Sequence, residues 1–187
     1  MSKVAILLAN GFEEIEALSI IDILRRAQIE VIIAGVGGTD ITGAHQVKVI
    51  ADTLIEKIQN ETFDMIILPG GEPGTTNLEN NPQVAAMIQR QAQSGQWVSA
   101  ICAAPRVLDK AGLLKGKQAT SYPGTKPSMT TCVYLEDNVV RDGKIITSRG
   151  PATAMEFAYK LVECLTSKEI ANRLKEAMLF TGSLART

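Results

Sequence analysis

A single cysteine stands at a position suited to nucleophilic chemistry. The segment Ala100–Pro105 (AICAAP) follows a short apolar run and places small residues two positions on either side of Cys102. This is the layout of a nucleophile elbow, in which a strand turns sharply into a helix. Pro105 suits the first helical turn, because its missing N–H would have no partner there. A thiol at a helix N-terminus is favoured as thiolate. The alternative is a buried cysteine that only packs.

Three carboxylates follow the first apolar run, at Glu13, Glu14 and Glu16. On one interpretation they are favourable charges on the solvated face of a helix N-terminus. On another, Glu16 lies one turn into the helix and points over the sheet towards Cys102. A partly buried carboxyl beside a thiolate has a raised pKa, since two anions do not easily share a dry site. Glu16 would then donate a hydrogen bond to sulfur and move protons.

A glycine turn, Leu68–Gly74 (LPGGEPG), follows a third apolar run. It fits neither G-x-G-x-x-G nor G-x-x-x-x-G-K-[ST], so a nucleotide site is weakly supported. A plain tight turn is one alternative. The other is an oxyanion hole, in which the N–H of Gly71 acts together with the N–H of Ala103.

Charge and composition exclude several classes of protein. The 187 residues carry 19 Lys and Arg against 20 Asp and Glu, so no basic excess points to nucleic acid. No stretch approaches the roughly 18 apolar residues of a membrane span, and Val4–Ala9 is too short for a signal-peptide core. We therefore predict a cytoplasmic protein with no nucleic-acid or membrane partner.

The scarce residues bear on metals and disulfides. The chain has one histidine, His45, and three cysteines, Cys102, Cys132 and Cys164, with no C-x-x-C pair. A structural zinc site needs about four clustered ligands, so no metal is expected. An odd cysteine count suits a reducing compartment, and Cys132 and Cys164 are interpreted as packing residues.

Short apolar runs alternate with longer helical patterns along the chain. Strands are predicted at Val4–Ala9, Val31–Ala34, Met65–Leu68 and Trp97–Ile101, a strand or hairpin at Gly43–Ile50, a hairpin about Asp142-Gly143, and helices at Glu13–Ala27, Pro82–Gln93, Pro151–Leu165 and Lys168–Leu179. Such alternation indicates βαβ units. We predict an α/β flavodoxin-like three-layer sandwich with a mostly parallel sheet, as a single domain over residues 1–187. Sites are expected at the carboxyl ends of the strands.

Four motifs in this order resemble the ThiJ/PfpI superfamily, and within it the DJ-one branch of Parkinson-associated deglycases and redox sensors. They are GFEEIE (Gly11–Glu16), LPGG (Leu68–Gly71), AICAAP (Ala100–Pro105) and TSRGPAT (Thr147–Thr153). The resemblance spans nearly the whole chain. It implies a flavodoxin-like fold, a homodimer and a site that needs no cofactor.

The resemblance also implies roles for individual residues. Cys102 matches a reactive cysteine that is easily oxidised to sulfinate, and Glu16 matches the protonated acid that hydrogen-bonds it. Gly71 and Ala103 match the backbone donors around a bound oxygen, with Gly70 as a supporting residue. Relatives are described as cofactor-free glyoxalases, protein and nucleotide deglycases, and chaperones induced by oxidative stress. Older labels mention thiazole biosynthesis or an intracellular protease.

Two positions depart from the family pattern. Protease-like and amidotransferase-like members place histidine directly after the nucleophile, where this chain has Ala103. Many DJ-one relatives carry a histidine in the segment that matches Thr120–Pro123, where this chain has Tyr122. Tyrosine, with a pKa near 10, is a poor base at neutral pH, although it can donate a hydrogen bond. Proton transfer therefore falls mainly on Glu16.

Three further residues are expected to support the site. His45 matches a basic residue that in relatives approaches the partner subunit's site; the alternative is a surface or interface histidine. Arg26 and Arg149 match family arginines near the site and the interface, with an exposed ion pair as the alternative.

Four functions remain open. A cofactor-free glyoxalase or deglycase would use the Cys102 thiolate to attack a methylglyoxal-type dicarbonyl or its early adduct. A redox sensor or holdase chaperone would oxidise the same thiol, with little turnover. Less favoured are a peptidase or amidase, which lacks a histidine after Cys102, and a phosphate-ligand or thiazole-pathway protein. The predicted partners are small reactive carbonyls or glycated amines and a second copy of the chain.

Overall fold

The computed structural model describes residues 2–180 and places strands and helices in alternation. The strands are β1 (Lys3–Ala9), β2 (Glu30–Val36), β3 (Asp40–Thr42), β4 (Lys48–Ile50), β5 (Thr53–Leu54), β6 (Met65–Leu68), β7 (Trp97–Ile101), β8 (Gln118–Ala119), β9 (Val133–Tyr134), β10 (Val139–Asp142) and β11 (Ile145–Ser148). The α-helices are α1 (Glu14–Arg26), α2 (Ile55–Ile58), α3 (Gly74–Glu79), α4 (Pro82–Gln93), α5 (Pro105–Lys110), α6 (Ala154–Leu165) and α7 (Lys168–Ala177). Two 3₁₀ turns cover Pro123–Ser128 and Pro151–Thr153.

The central sheet has seven strands in the order β10-β11-β7-β6-β1-β2-β5. All neighbours run parallel except β10, which pairs antiparallel with β11. The five strands β1, β2, β6, β7 and β11 take the order 2-1-3-4-5, which is that of the flavodoxin-like folds. The predicted fold class is therefore confirmed.

Strand β1 shows why the sheet is covered on both faces. Side chains alternate across a strand, so neighbouring residues enter different cores. One core contains Val4, Ile6 and Leu8 with the buried faces of α1 and α6, and the other contains Ala5, Leu7 and Ala9 with residues of α2, α4 and α5. The apolar run lacks polar alternation because helices lie on both sides.

The structure refines several predicted boundaries. The uncertain Gly43–Ile50 segment belongs to an antiparallel hairpin of β3 and β4. The predicted helix Pro151–Leu165 begins as a 3₁₀ turn, and the last helix ends at Ala177 rather than Leu179. Helices α2 and α3 were not predicted, because four and six residues are too few to show helical periodicity. Over residues 2–180, no helix combines the length and apolar character that crossing a lipid bilayer demands.

Candidate active site

Cys102 lies in the turn between β7 and α5, and its backbone is strained. Its φ is 63°, in the left-handed region that favours glycine. Its N–H donates to the Ser148 carbonyl at 3.0 Å, and its carbonyl accepts from the Tyr122 N–H at 2.7 Å. The residue is 9% exposed. Strand β11 and the segment at Tyr122 thus hold a buried thiol in an unfavourable backbone conformation, as in a nucleophile elbow.

Glu16 reaches the cysteine from the buried face of α1. Ile20 and Ile23 follow it at helical spacing and are buried, so this face of the helix packs on the sheet. Glu16 is wholly buried. Its Oε2 accepts a hydrogen bond from the Gly70 N–H at 2.8 Å, and the carboxyl interacts with the Cys102 thiol. Its Oε1 has no hydrogen-bond partner among residues 2–180. One buried carboxyl oxygen is therefore available to exchange a proton beside the sulfur.

The turn after β6 passes so close to the cysteine that only glycine fits. A Cβ at position 70 would lie 2.6 Å from the Cβ of Cys102 and 2.8 Å from Glu16 Oε2. Gly71 has a φ of +90°, and a Cβ there would collide with the Glu13 backbone. The backbone N–H groups of Gly71 and Ala103 both interact with the Cys102 thiol. The structure thus brings the two predicted backbone donors to one sulfur atom.

Cys102 and Glu16 form a buried pair that favours one negative charge. Burial raises the pKa of Glu16 to about 7, against the opposing effect of its contacts with Cys102 and the Gly70 N–H. Burial and the Glu16 charge raise the pKa of the Cys102 thiol, whereas the N–H groups of Ala103 and Gly71 lower it. The position of Cys102 at a helix N-terminus predicts a lowered thiol pKa, and this prediction is wrong. The pKa is raised because the thiol is buried beside the Glu16 carboxyl, and α5 has only six residues. Because the Glu16 charge opposes ionisation of the thiol, a thiolate at Cys102 requires the remaining proton of the pair to stay on Glu16.

Tyr122 and Arg149 border an open cavity near the elbow. The cavity has a volume of about 250 Å³ and is lined by Tyr122, Pro123, Asn138, Arg149, Gly150, Pro151, Ala152 and Thr153. The backbone N–H of Tyr122 donates to the Cys102 carbonyl, and Tyr122 is 51% exposed. Arg149 Nη1 donates to the Glu136 carbonyl at 3.0 Å. The two side chains therefore line a cavity that is joined to the Cys102 turn through the backbone of Tyr122.

His45 and Arg26 make ion pairs at the surface. His45 Nδ1 lies 2.9 Å from Glu14 Oε2 and 3.5 Å from Glu13 Oε2, and this contact with Glu14 raises the histidine pKa. One donor atom from each of the three side chains fits within 4.8 Å. Arg26, in the last turn of α1, pairs with Asp22 at 2.7 Å. Arg26 thus makes the exposed ion pair considered as its alternative, and His45 lies at the surface of the chain with its side chain 72% exposed.

Cys132 and Cys164 are partly buried free thiols packed against the two apolar cores. The sequence does not predict one polar cluster beside the site: Arg106, in the first turn of α5, contacts Glu72 in the glycine turn. Nothing in the sequence pattern signals this contact, because it depends on how α5 lies against the turn after β6.

The fold and site define a class of protein: a flavodoxin-like sheet that carries a strained cysteine at the end of a central strand, with a buried acid from the first βα unit. The chain matches the DJ-1/PfpI family over residues 2–164 and belongs to it. The superfamily expected from the four motifs is thereby confirmed.

Known members of the family resemble nearly the whole chain. Protein dj-1beta of Drosophila melanogaster is 41% identical over 183 residues, which cover 96% of this chain and 98% of the fly protein. A Caenorhabditis elegans protein named glutathione-independent glyoxalase DJR-1.2 is 37% identical over 175 residues, 92% of this chain and 93% of that protein. The solved structure of oxidized Toxoplasma gondii DJ-1 has a TM-score of 0.94 at 40% identity, over 97% of this chain and all of that one. The chain spans only 41% of the length of Arabidopsis thaliana Protein DJ-1 homolog B.

Proposed function

We propose that this chain is a cysteine-dependent, cofactor-free glyoxalase or deglycase that acts on methylglyoxal-type dicarbonyls or their early adducts. The observation that carries the proposal is the buried Cys102 thiol, with Glu16 on one side and the N–H groups of Gly71 and Ala103 around the sulfur. Membership of a family that includes a protein named as a glutathione-independent glyoxalase supports it.

The first chemical step forms a carbon–sulfur bond. With the shared proton on Glu16, the Cys102 thiolate attacks the aldehyde carbon of methylglyoxal. The carbonyl π electrons move to oxygen, where the Gly71 and Ala103 N–H groups stabilise the developing charge. Glu16 then gives its proton to that oxygen, so that the product is a neutral hemithioacetal beside a carboxylate.

The second stage moves hydrogen between adjacent carbons. Glu16 removes the proton from the sulfur-bearing carbon while the ketone oxygen is protonated, which gives an enediol. The proton then returns from Glu16 to the neighbouring carbon as the hydroxyl on the sulfur-bearing carbon loses its own proton, so that one proton has passed from carbon to carbon and one from oxygen to oxygen. The former aldehyde carbon becomes a thioester and the former ketone an alcohol, so no external oxidant or reductant is needed. Water then cleaves the thioester, releasing lactate and the Cys102 thiol. On a glycated amine, the thiolate would bond to the carbinol carbon as its carbon–nitrogen bond breaks, and Glu16 would supply the proton that leaves on the amine.

The protein is also proposed to work as a homodimer. Four large apolar side chains on α1 and the β3–β4 hairpin are exposed, namely Ile15, Leu18, Val47 and Ile50. Backbone bonds join this hairpin to the start of α1, as between the Gly11 N–H and the Thr42 carbonyl. A second copy of the chain would remove this apolar surface from water.

A redox-sensing role is the second candidate. Glu16 Oε1 is buried without a hydrogen-bond partner among residues 2–180, and the Glu16 carboxyl interacts with the Cys102 thiol. A protonated Glu16 would hydrogen-bond a sulfinate oxygen on Cys102 and so stabilise that oxidation state. After mild peroxide treatment, mass spectrometry should find sulfinate concentrated at Cys102. Equal oxidation of Cys102, Cys132 and Cys164 would count against a tuned sensor.

The enzyme proposal is tested by lactate formation from methylglyoxal, without glutathione or added metal. Wild type should turn over, Cys102→Ala should lose the activity, and Cys164→Ala should retain it, because Cys164 only packs against the core. Glu16→Gln should leave lactate formation reduced by about 10²-fold or more, the size of a general acid–base contribution. A Cys102→Ala variant as active as wild type would contradict the proposal.

A further inference from the structure

A guanidinium group ties the helix that follows the cysteine to the turn that carries Gly71. Arg106 lies four residues after Cys102, and its Nη1 contacts Glu72 Oε1 at 2.5 Å. Glu72 directly follows Gly71, whose N–H interacts with the Cys102 thiol. The ion pair therefore spans the two segments that supply the backbone donors, Gly71 from one and Ala103 from the other.

Arg106 makes further contacts that fix its own position. Its Nη2 donates to Thr76 Oγ1 at 2.9 Å, and its Nε lies 3.4 Å from Glu79 Oε2. Glu72 is held from the other side, since its Oε2 accepts from Thr76 Oγ1 at 2.8 Å and from the Thr76 N–H at 3.3 Å. The Arg106 side chain is only 16% exposed. These bonds connect α5, the glycine turn and α3 in one network, which differs from an isolated surface ion pair.

The glycine turn has little freedom at this point. The Gly70 and Gly71 positions leave no room for a Cβ, so a small shift of the turn changes its contact with the sulfur. The distance between the Gly71 and Ala103 donors is not fixed by the chain itself, because more than thirty residues separate them. The pairing of β6 with β7 brings the two segments together, and the contact between α5 and the turn holds them beyond the ends of these strands.

We infer that Arg106 and Glu72 form a clamp that spaces the Gly71 and Ala103 N–H groups around the sulfur of Cys102. Arg106 is in this sense a positioning residue. It touches neither sulfur nor substrate and acts through the backbone of the turn. The effect of the clamp on turnover rests on the proposed glyoxalase function. Its effect on the thiol itself is independent of any substrate.

The test uses Arg106→Met, Glu72→Gln and the double variant in the full chain. The alkylation rate of Cys102 with iodoacetamide is followed at several pH values by peptide mass spectrometry. Each single variant should slow alkylation at neutral pH by about tenfold, which corresponds to about 1.4 kcal/mol, the loss of one hydrogen bond to the thiolate. The double variant should be no slower than either single one, because both remove the same clamp. Alkylation of Cys164 in the same samples serves as an internal reference.

Two controls separate positioning from general stability. Lys160→Gln removes another ion pair, to Glu163 at 2.9 Å, and should leave the Cys102 alkylation profile unchanged. Arg106→Lys keeps a charge near Glu72 but lacks the fork that reaches Thr76 and Glu79 together, so its rate should lie between those of wild type and Arg106→Met. Lactate kinetics should show a lower kcat with little change in KM, since the donors act on the developing oxyanion.

An unchanged Cys102 alkylation profile in Arg106→Met and Glu72→Gln would overturn the clamp, whatever their thermal stability. A further tenfold fall in the double variant would do the same, because it would mean that the two residues act separately. If wild type forms no lactate but the variants still slow alkylation, the clamp stands and the proposed enzyme activity fails.

Discussion

Replacing Glu16 by glutamine should make the protein more stable at alkaline pH than wild type. Glu16 is wholly buried, and burial raises its pKa from an ordinary value of 4.5 to about 7. A glutamine is neutral at every pH and can still accept the hydrogen bond from the Gly70 N–H through its side-chain oxygen. The substitution thus removes the ionisation and keeps the shape.

The size and sign follow from proton binding. Between pH 4.5 and about 7 the folded protein keeps the Glu16 proton while the unfolded chain has lost it, so stability falls as pH rises through this window. The stabilisation is fully present below pH 4.5 and is lost above about pH 7. A pKa change of this size corresponds to about 3 kcal/mol. The Glu16→Gln variant lacks this loss, so its advantage over wild type should grow by up to about 3 kcal/mol between pH 4.5 and 9.

The assay is urea unfolding of both proteins at pH 4.5, 7 and 9, at one protein concentration, with the free energy of unfolding extrapolated to water. Glu136→Gln is the matched control, because Glu136 makes an exposed ion pair with Lys126 and should shift stability little at any of these pH values. A difference between Glu16→Gln and wild type that stays constant with pH, or shrinks as pH rises, would refute a buried acid with a raised pKa.

Three further substitutions test the packing of the site and the proposed dimer. Gly70→Ala should cost about 1–3 kcal/mol in urea unfolding and greatly reduce lactate formation, because its Cβ would meet Cys102, whereas Gly124→Ala should be tolerated; equal effects would contradict the close approach. Tyr122→Phe should keep lactate kinetics within about threefold, since the contact to Cys102 uses the backbone; a loss of roughly 10²-fold would make the phenol an acid or base. Ile50→Glu should dissociate the dimer in sedimentation, and a monomeric wild type would refute the dimer itself.

Much of the fold follows from patterns that depend on neighbours in sequence. Residues Val4–Ala9 of β1 and all of β6 are apolar, and Ser99 is the one polar residue in β7, which is the signature of strands covered on both faces. The helical spacing from Glu16 to Ile20 places the acid on the buried face of α1. Small residues around Cys102 predict the tight turn in which the structure places it.

The remaining features depend on contacts between distant segments. The pKa of Cys102 is raised because Glu16 and the surrounding core lie against it, and the sequence pattern shows only the helix that follows the cysteine. In the sequence, nothing distinguishes Arg106 from the other Lys and Arg residues, which number nineteen in all. Its role is visible only when α5 lies against the glycine turn. His45 likewise gains Glu14 as a partner only when the β3–β4 hairpin folds beside α1. Such features require tertiary structure, since no local pattern encodes them.

The shared proton of Cys102 and Glu16 is tested most directly by the pH dependence of Cys102 alkylation in wild type and Glu16→Gln. When two groups share a buried site, the first proton leaves the pair, and part of the resulting charge lies on sulfur. Burial raises the pKa of Glu16 to about 7, so the alkylation rate of wild type should show an inflection near pH 7. The Glu16→Gln variant should lack this inflection. Identical curves for the two proteins, each with the midpoint of an ordinary thiol at roughly 8.5, would contradict the coupled pair.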